Sequence, residues 1–247
     1  MIYSPGVILK QKNRIIAIVQ ARMGSKRFPG KMLEKLGDHL ILEWVITRLK
    51  RSKYISEIIV ATSNLNIDDK IKNISSMMGV KCFRGDENDV LGRFTEAARK
   101  YNAYWVVRVC ADNPFIDPIE VDRLIDFYDE NQCDYACNHM NKLNSGYADG
   151  FGAEILSSKL LVELNKNASK DDEIEHVTLY LYKNNKKYNL LGVPAPKSLT
   201  FPDLRFDVDS KLDLEKLQAI CDLGVTINSS SSDIIKVYSN RKIFVNY

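Results

Sequence analysis

The chain has 247 residues, a net charge of +3, and 45% hydrophobic and 27% charged residues. That composition excludes a disordered chain, a collagen-like fibre and a small disulfide scaffold. The charge is too small to argue for nucleic acid by itself, and no run approaches the roughly 18 apolar residues of a membrane span.

Met1–Lys12 holds Pro5 and Gly6 without a basic start, a long apolar middle or a cleavage site, so it reads as a loose leader. Ile15–Val19 predicts a fully buried strand, Leu40–Lys50 a helix and Glu57–Thr62 a second strand. Ile67–Met78 predicts a helix ending before Gly79, and Val80–Phe83 a third strand. Asp89–Tyr101 predicts a helix with Leu91, Phe94, Ala97 and Ala98 on one face. Tyr104–Val109 is a fourth strand, and a helix over Ile119–Tyr128 starts after Pro118. Such alternation implies parallel strands with right-handed crossovers, an α/β layered fold.

The second half is less regular. Asp134–Cys137 reads as a strand, and the polar Asn138–Asp149 as a loop or arm. A strand over Phe151–Leu156 and a helix over Ser157–Leu164 follow, then one helix over Asp171–Lys183 with an acidic first turn. Tyr188–Val193 and Leu204–Val208 read as strands. Ser210 caps a helix through Cys221, with Asp213 in an imperfect capping box. Asn228–Ser232 is a polar linker before a last short helix. One domain over residues 1–247, with an arm inserted at about 138–152, is the resulting organisation. Cys82, Cys110, Cys133, Cys137 and Cys221 are odd in number and scattered, which favours reduced thiols and a cytoplasmic location. Cys133 and Cys137 stand four apart near His139, which is not CxxC spacing; buried thiols are the better reading than a metal site.

Three segments carry chemistry. Gln20–Lys31, QARMGSKRFPGK, follows the first strand, where open α/β sheets bind ligands. It holds Arg22, Lys26, Arg27 and Lys31 with no acid between Asn13 and Glu34, and Gly24 and Gly30 permit close backbone approach. Such a loop suits a polyphosphate, since each cation at about 4 Å gains roughly 4 kcal/mol at an effective dielectric of ~20. The segment matches neither GxGxxG nor GxxxxGK[ST], because Ser25 and Met32 break the second pattern. VCADNP places Asp112 at the end of the fourth strand, where magnesium is commonly held by one or two carboxylates with substrate phosphates. RFDVDSKLDLE sets Asp207 and Asp209 two apart on a predicted strand, so that both point to one face. That pair is a divalent-metal candidate, or else Asp207 pairs with Arg205 while Asp209 opens the next helix. Arg84 and Arg93 bracket the acidic turn Gly85–Asp89 and either reach a nucleotide or pair with Asp86 and Glu87.

Together the segments IVQARMGSKRFPGKML, EIIVATS, CFRGDENDVLGRF, VVRVCADNPFIDP and LRFDVDSKLDLE resemble the cytidylyltransferases of the spore-coat-polysaccharide protein F type, relatives of the CMP-sialate and CMP-3-deoxy-octulosonate synthetases. The resemblance runs from about Ile15 to Leu217. It implies a Rossmann-like nucleotidyltransferase fold, a mostly parallel sheet between helices with an inserted dimerisation arm. It implies transfer of CMP from CTP to an acceptor oxygen of a sugar acid, with Mg2+ as cofactor and pyrophosphate released. Arg22, Lys31, Asp112 and Asp209 match the catalytic set. Gln20, Ala21, Gly24, Ser25, Arg27, Thr62, Arg84, Val90 and Leu91 join Arg22 and Lys31 as nucleotide-binding matches. Asp112, Asp207 and Asp209 match metal-holding carboxylates, and Asp149, Glu154 and His176 are candidate acceptor contacts. The arm resembles the segment by which relatives form homodimers. Cys110, Ala111 and Gly152 depart from the family pattern, and these departures bear on base and acceptor choice.

Three rival classes share the basic loop. One is a nucleotidyltransferase acting on a sugar 1-phosphate or other phosphorylated small molecule. Another is a nucleic-acid binder, which Glu34, Asp38 and the acidic Asp86–Asp89 argue against by breaking any long basic stripe. The third is a module that holds nucleotide without turnover. Neither nucleic acid nor membrane is expected as a partner.

Overall fold

The computed structural model describes residues 14–139 and 141–240; the leader read at Met1–Lys12 lies outside them. The elements run β1 (Ile15–Gln20), a small ribbon of β2 (Lys35–Leu36) and β3 (His39–Leu40), α1 (Ile41–Leu49), β4 (Glu57–Ser63), α2 (Asp69–Met77), β5 (Lys81–Gly85), α3 (Val90–Lys100), β6 (Trp105–Cys110) and α4 (Pro118–Asn131). They continue β7 (Tyr135–Cys137), β8 (Glu154–Ser157), α5 (Ser158–Asn167), α6 (Asp171–Glu175), α7 (Leu179–Lys183), β9 (Leu190–Gly192), α8 (Lys211–Asp222) and α9 (Ser231–Asn240).

Seven of these strands form one sheet in the order β5-β4-β1-β6-β8-β7-β9. Pairing is parallel from β5 to β6 and between β7 and β9; β8 alone among them runs the other way. The mostly parallel sheet between helices is therefore as the sequence predicts. Period-two alternation explains why β1 has no polar residue before Gln20. Ile15, Ala17 and Val19 face one apolar layer while Ile16 and Ile18 face the other, all fully buried. The first layer takes Trp44 and Val45 of α1, Leu124 of α4, Ile220 of α8 and Ile234 of α9. The second takes Phe94 of α3, Leu161 of α5 and Leu181 of α7. Each large aliphatic buried this way contributes roughly 1.5–3 kcal/mol. Among the described residues no helix is long and apolar enough to cross a membrane.

Three predicted features come out differently. The strand read from Phe151 begins only at Glu154. Asn138 fills the preceding space: its side chain bonds Ala153 N at 2.9 Å and the Glu120 carbonyl at 2.7 Å. A Cβ on Gly152 would lie 2.0 Å from the Asn138 carbonyl oxygen, so no side chain fits at this departure from the family pattern. The single helix read over Asp171–Lys183 is two short helices, because buried Val177 and Thr178 turn inward between them. The strand read over Leu204–Val208 is a strap bonded to loops on both sides, through Phe206 N to Asp149 O at 2.9 Å and Val208 N to Asp112 O at 2.8 Å. The described residues of the arm read at about 138–152 make contacts within this chain. Ser145, Tyr147 and Asp149 are buried, and Ala195 N donates to Ser145 O at 2.7 Å.

Candidate active site

Register places the carboxyl ends of β1 and β6 side by side, with Gln20 opposite Cys110. The basic loop leaves β1 at this edge. Met23 N donates to Asp68 Oδ1 at 2.7 Å, and Asp68, buried, also accepts from Ser63 N at 3.1 Å. Gly30 N returns to Met23 O at 2.9 Å, and Gly30 has φ +78°, which an L side chain rarely adopts. The loop is thus a closed cradle held by an internal carboxylate.

Lys31 follows Gly30 and points into the cleft. Its Nζ donates to Val208 O at 2.7 Å, Asp112 Oδ2 at 2.9 Å and Asp209 Oδ1 at 3.3 Å. Arg27 Nη2 lies 2.8 Å from the other Asp209 oxygen. Arg22 Nη2 crosses the mouth to Glu175 Oε1 at 3.2 Å. Together they border a pocket of about 360 Å³, lined among others by Gln20, Ser25, Cys110 and His176. Burial pushes the Cys110 thiol up to about 12, so it stays protonated and is no nucleophile here.

The break between α6 and α7 brings Glu175 and His176 to the pocket wall, and sends Thr178 to Glu154 at 3.2 Å. Glu154, 1% exposed, also meets Arg108 at 2.9 Å and Lys142 at 3.5 Å. Burial raises its carboxyl, but Arg108, Lys142 and His139 outweigh that and bring it to about 2. Arg108 in turn donates to Gln20 Oε1 at 3.0 Å, fixing a pocket side chain. Asp149 is buried 3.5 Å from His139 Nδ1. Burial and Asp207 raise the Asp149 carboxyl to about 7, while burial lowers His139 to about 4.

The predicted residues therefore divide. Gln20, Arg22, Ser25, Arg27, Lys31, Asp112, Asp209 and His176 share the pocket. Asp149 and Glu154 lie in the buried network with His139, Arg108 and Lys142. Asp207 is clamped by Arg205 at 3.0 and 2.6 Å, so the three carboxylates do not form one cluster. Among the described residues no group of three or more acids, histidines or cysteines is arranged for a metal, Cys133, Cys137 and His139 included. Arg84 braces β4 instead of facing the cleft. It donates to Ser63 O at 2.9 Å and Leu65 O at 2.8 Å and pairs with Asp69. Val90, Leu91 and Thr62 are buried, the first two in the second apolar layer.

Two acids and the Val208 carbonyl nevertheless converge on one cationic point, occupied by Lys31 Nζ. All-oxygen donors of this kind fit a hard divalent cation that also takes substrate oxygens, so Asp112 and Asp209 are the residues suited to hold one. Asp68, Arg108 and Glu175 were not among the predicted site residues. A lone arginine inside the apolar YWVVRV run is the legible hint for Arg108, and Glu175 beside His176 is a weak one; Asp68 has none.

Residues 16–243 match the family model described as Cytidylyltransferase. The chain belongs to this family. It is 31% identical over 235 residues to the spore coat polysaccharide biosynthesis protein SpsF of Bacillus subtilis, covering 93% of this chain and 95% of that one. The structure of a cytidylyltransferase from Leptospira borgpetersenii superposes with a TM-score of 0.85 at 31% identity, covering 92% and 94% of the two chains. A CMP:2-keto-3-deoxy-manno-octonic acid synthetase complexed with CTP shares the fold, with a TM-score of 0.64 at 18% identity over 86% of this chain and 100% of that one. As a cytidylyltransferase, the chain presents its basic loop at the carboxyl end of the sheet, where two acids from distant segments meet it.

Proposed function

We propose that this cytidylyltransferase moves CMP from CTP to a hydroxyl of a sugar acid, in the assembly of a surface polysaccharide or glycoconjugate. The observation that carries the reading is the convergence of Arg22, Arg27 and Lys31 with Asp112 and Asp209 in one pocket. The relatives that act in spore coat polysaccharide biosynthesis and in CMP-sugar-acid synthesis support the acceptor class. Arg22, Arg27 and Lys31 bind the triphosphate. The acceptor oxygen bonds to the α-phosphorus as the bond to pyrophosphate breaks, and the hydroxyl proton is lost to solvent. Arg22 and Lys31 stabilise the charge gathering on the leaving group, the kind of fixed electrostatics that often supplies the largest catalytic contribution. Mg2+ on Asp112 and Asp209 would neutralise phosphate charge and acidify the attacking hydroxyl. His176, which also lines the pocket, orients the acceptor. The test is pyrophosphate release from CTP with a panel of sugar acids and sugar phosphates, with and without Mg2+. Acceptor-dependent release that falls by about 100-fold in Arg22→Ala and Asp209→Ala supports the reading. Release only with phosphorylated acceptors reassigns the substrate, and variants within about twofold of the parent overturn the site.

A further inference from the structure

The pocket lies across the carboxyl end of the sheet, and its two sides differ. Met23 and Met32 of the basic loop pack into the first apolar layer, and Lys31 stands beside Met32. Gln20 belongs to the other side. It shares a face of β1 with Ile16 and Ile18, which bury in the second layer. In register on that face, Arg108 stands opposite Ile18, Cys110 opposite Gln20, and Glu154 of β8 opposite Arg108. The segment between α6 and α7 meets the same face, with His176 on the pocket and Thr178 on Glu154 at 3.2 Å.

The donors and acceptors here fix an orientation. A guanidinium only donates, and a carboxylate only accepts. Arg108 Nη1 donates to Glu154 Oε2 at 2.9 Å, and its Nη2 donates to Gln20 Oε1 at 3.0 Å. The carbonyl end of the Gln20 amide is therefore turned to Arg108, and the NH2 end is turned away from it. Gln20 lines the pocket, and its Nε2 has no hydrogen-bond partner among the described residues. Charge behind the amide is positive. Glu154 faces both Arg108 and Lys142, while Asp149 has Arg205 at 3.9 Å. Glu175, the acid of the pocket wall beside His176, is already answered by Arg22.

We propose that Gln20 is a specificity residue for the acceptor, its Nε2 donating to the carboxylate of the sugar acid, and that Arg108, held by Glu154, is the positioning residue that turns the amide this way. This rests on the sugar-acid reading and gives the acid group its place in the pocket. An N–H donor backed by a cation suits an anionic oxygen, because charge-assisted bonds are the stronger ones and chains of hydrogen bonds polarise one another. The donor already borders the cavity, so no backbone movement is required. Glu154, expected from the sequence as an acceptor contact, then acts two side chains away from the substrate.

Steady-state pyrophosphate release from CTP and Mg2+ by the full chain tests this with the sugar-acid panel, 3-deoxy-octulosonate and sialic acid included, each as free acid and as methyl ester. Gln20→Met removes the donor at similar length, and Arg108→Lys keeps the charge beside Glu154 but loses the fork. The parent is expected to prefer the free acid. In Gln20→Met the acceptor KM rises about tenfold or more and the preference for acid over ester is lost, while the CTP KM stays within about twofold. Arg108→Lys moves both acceptor readouts in the same direction, and the double variant is no worse in them than Gln20→Met alone, because one residue acts through the other. A parent indifferent to esterification, a Gln20→Met enzyme that keeps the preference, or one that loses CTP affinity with the acceptor KM unmoved overturns the proposal and leaves the sugar-acid reading standing. An Arg108→Lys enzyme that melts lower with both acceptor readouts unmoved gives Arg108 to structure and overturns the positioning role. A parent that releases no pyrophosphate with any acid of the panel removes the sugar-acid reading, and this proposal with it.

Discussion

Lys31 Nζ holds apart two carboxylates that would otherwise repel, and it is almost wholly buried. Lys31→Met should therefore lose about 100-fold or more in kcat and also melt lower, because Asp112 and Asp209 then face each other without a cation. Steady-state kinetics and a thermal melt check both halves. His139 and Asp149 make a second pair, with opposite linkage. His139 titrates near 4 in the fold against an ordinary 6.5, so the unfolded chain binds more protons between those values, and stability drops as pH falls through that window. Asp149 titrates near 7 against 3.8, so its contribution is present at low pH and is lost as pH rises toward 7. Between about pH 4 and 6.5 the two oppose each other. His139→Asn should expose a stability that falls with rising pH, and Asp149→Asn one that rises; urea midpoints from pH 4 to 8 read the slopes. Neither partner was legible as a pair, because nine residues of turn-rich chain separate them and only folding buries both.

At the level of elements, the strand and helix that carry the basic loop follow from local pattern: a continuous apolar run, then glycine and proline punctuation. The strap over residues 204–208 does not. Alternation in LRFDVD mimics a strand, yet its partners are the turns at Asp149 and Asp112 rather than a neighbouring strand, so Asp207 goes to Arg205 and only Asp209 enters the cleft. The capping box that follows was visible in sequence and is present: Ser210 Oγ accepts from Asp213 N at 3.3 Å, and Asp213 Oδ2 accepts from Ser210 N at 2.8 Å. Because Asp209 N also donates to Asp213 Oδ2, at 3.2 Å, this box positions a pocket residue. Ser210→Ala should cost about 1 kcal/mol of stability and reduce kcat through Asp209, as denaturation and kinetics on the same preparation would show. An unchanged kcat would mean that α8 holds Asp209 without its cap.

Across the whole molecule, Arg48 of α1 joins segments far apart in the chain. It is fully buried and donates to the carbonyls of Ile116, Ile227 and Ser229 at 2.5, 2.9 and 2.7 Å. Burial lowers its pKa to about 10, which still leaves it charged at neutral pH. Arg48→Met strands those carbonyls and should destabilise by roughly 3 kcal/mol or more, measured by urea denaturation, with the residues from Ile227 onward becoming protease-sensitive. Asp117 adds a second tie, accepting from Ser231 N at 2.7 Å. The layered α/β plan, the order of its early elements, the polyphosphate-suited loop and the family resemblance were all readable before any coordinates, since each rests on periodicity or on contiguous motifs. Convergence was not. Lys31 and Asp209 lie 178 positions apart and meet at 3.3 Å, Arg108 finds Gln20 and Glu154 from three different strands, and Arg84 turns away from the cleft. Which charges answer one another is set by the three-dimensional path of the backbone, and one-dimensional spacing carries no record of it.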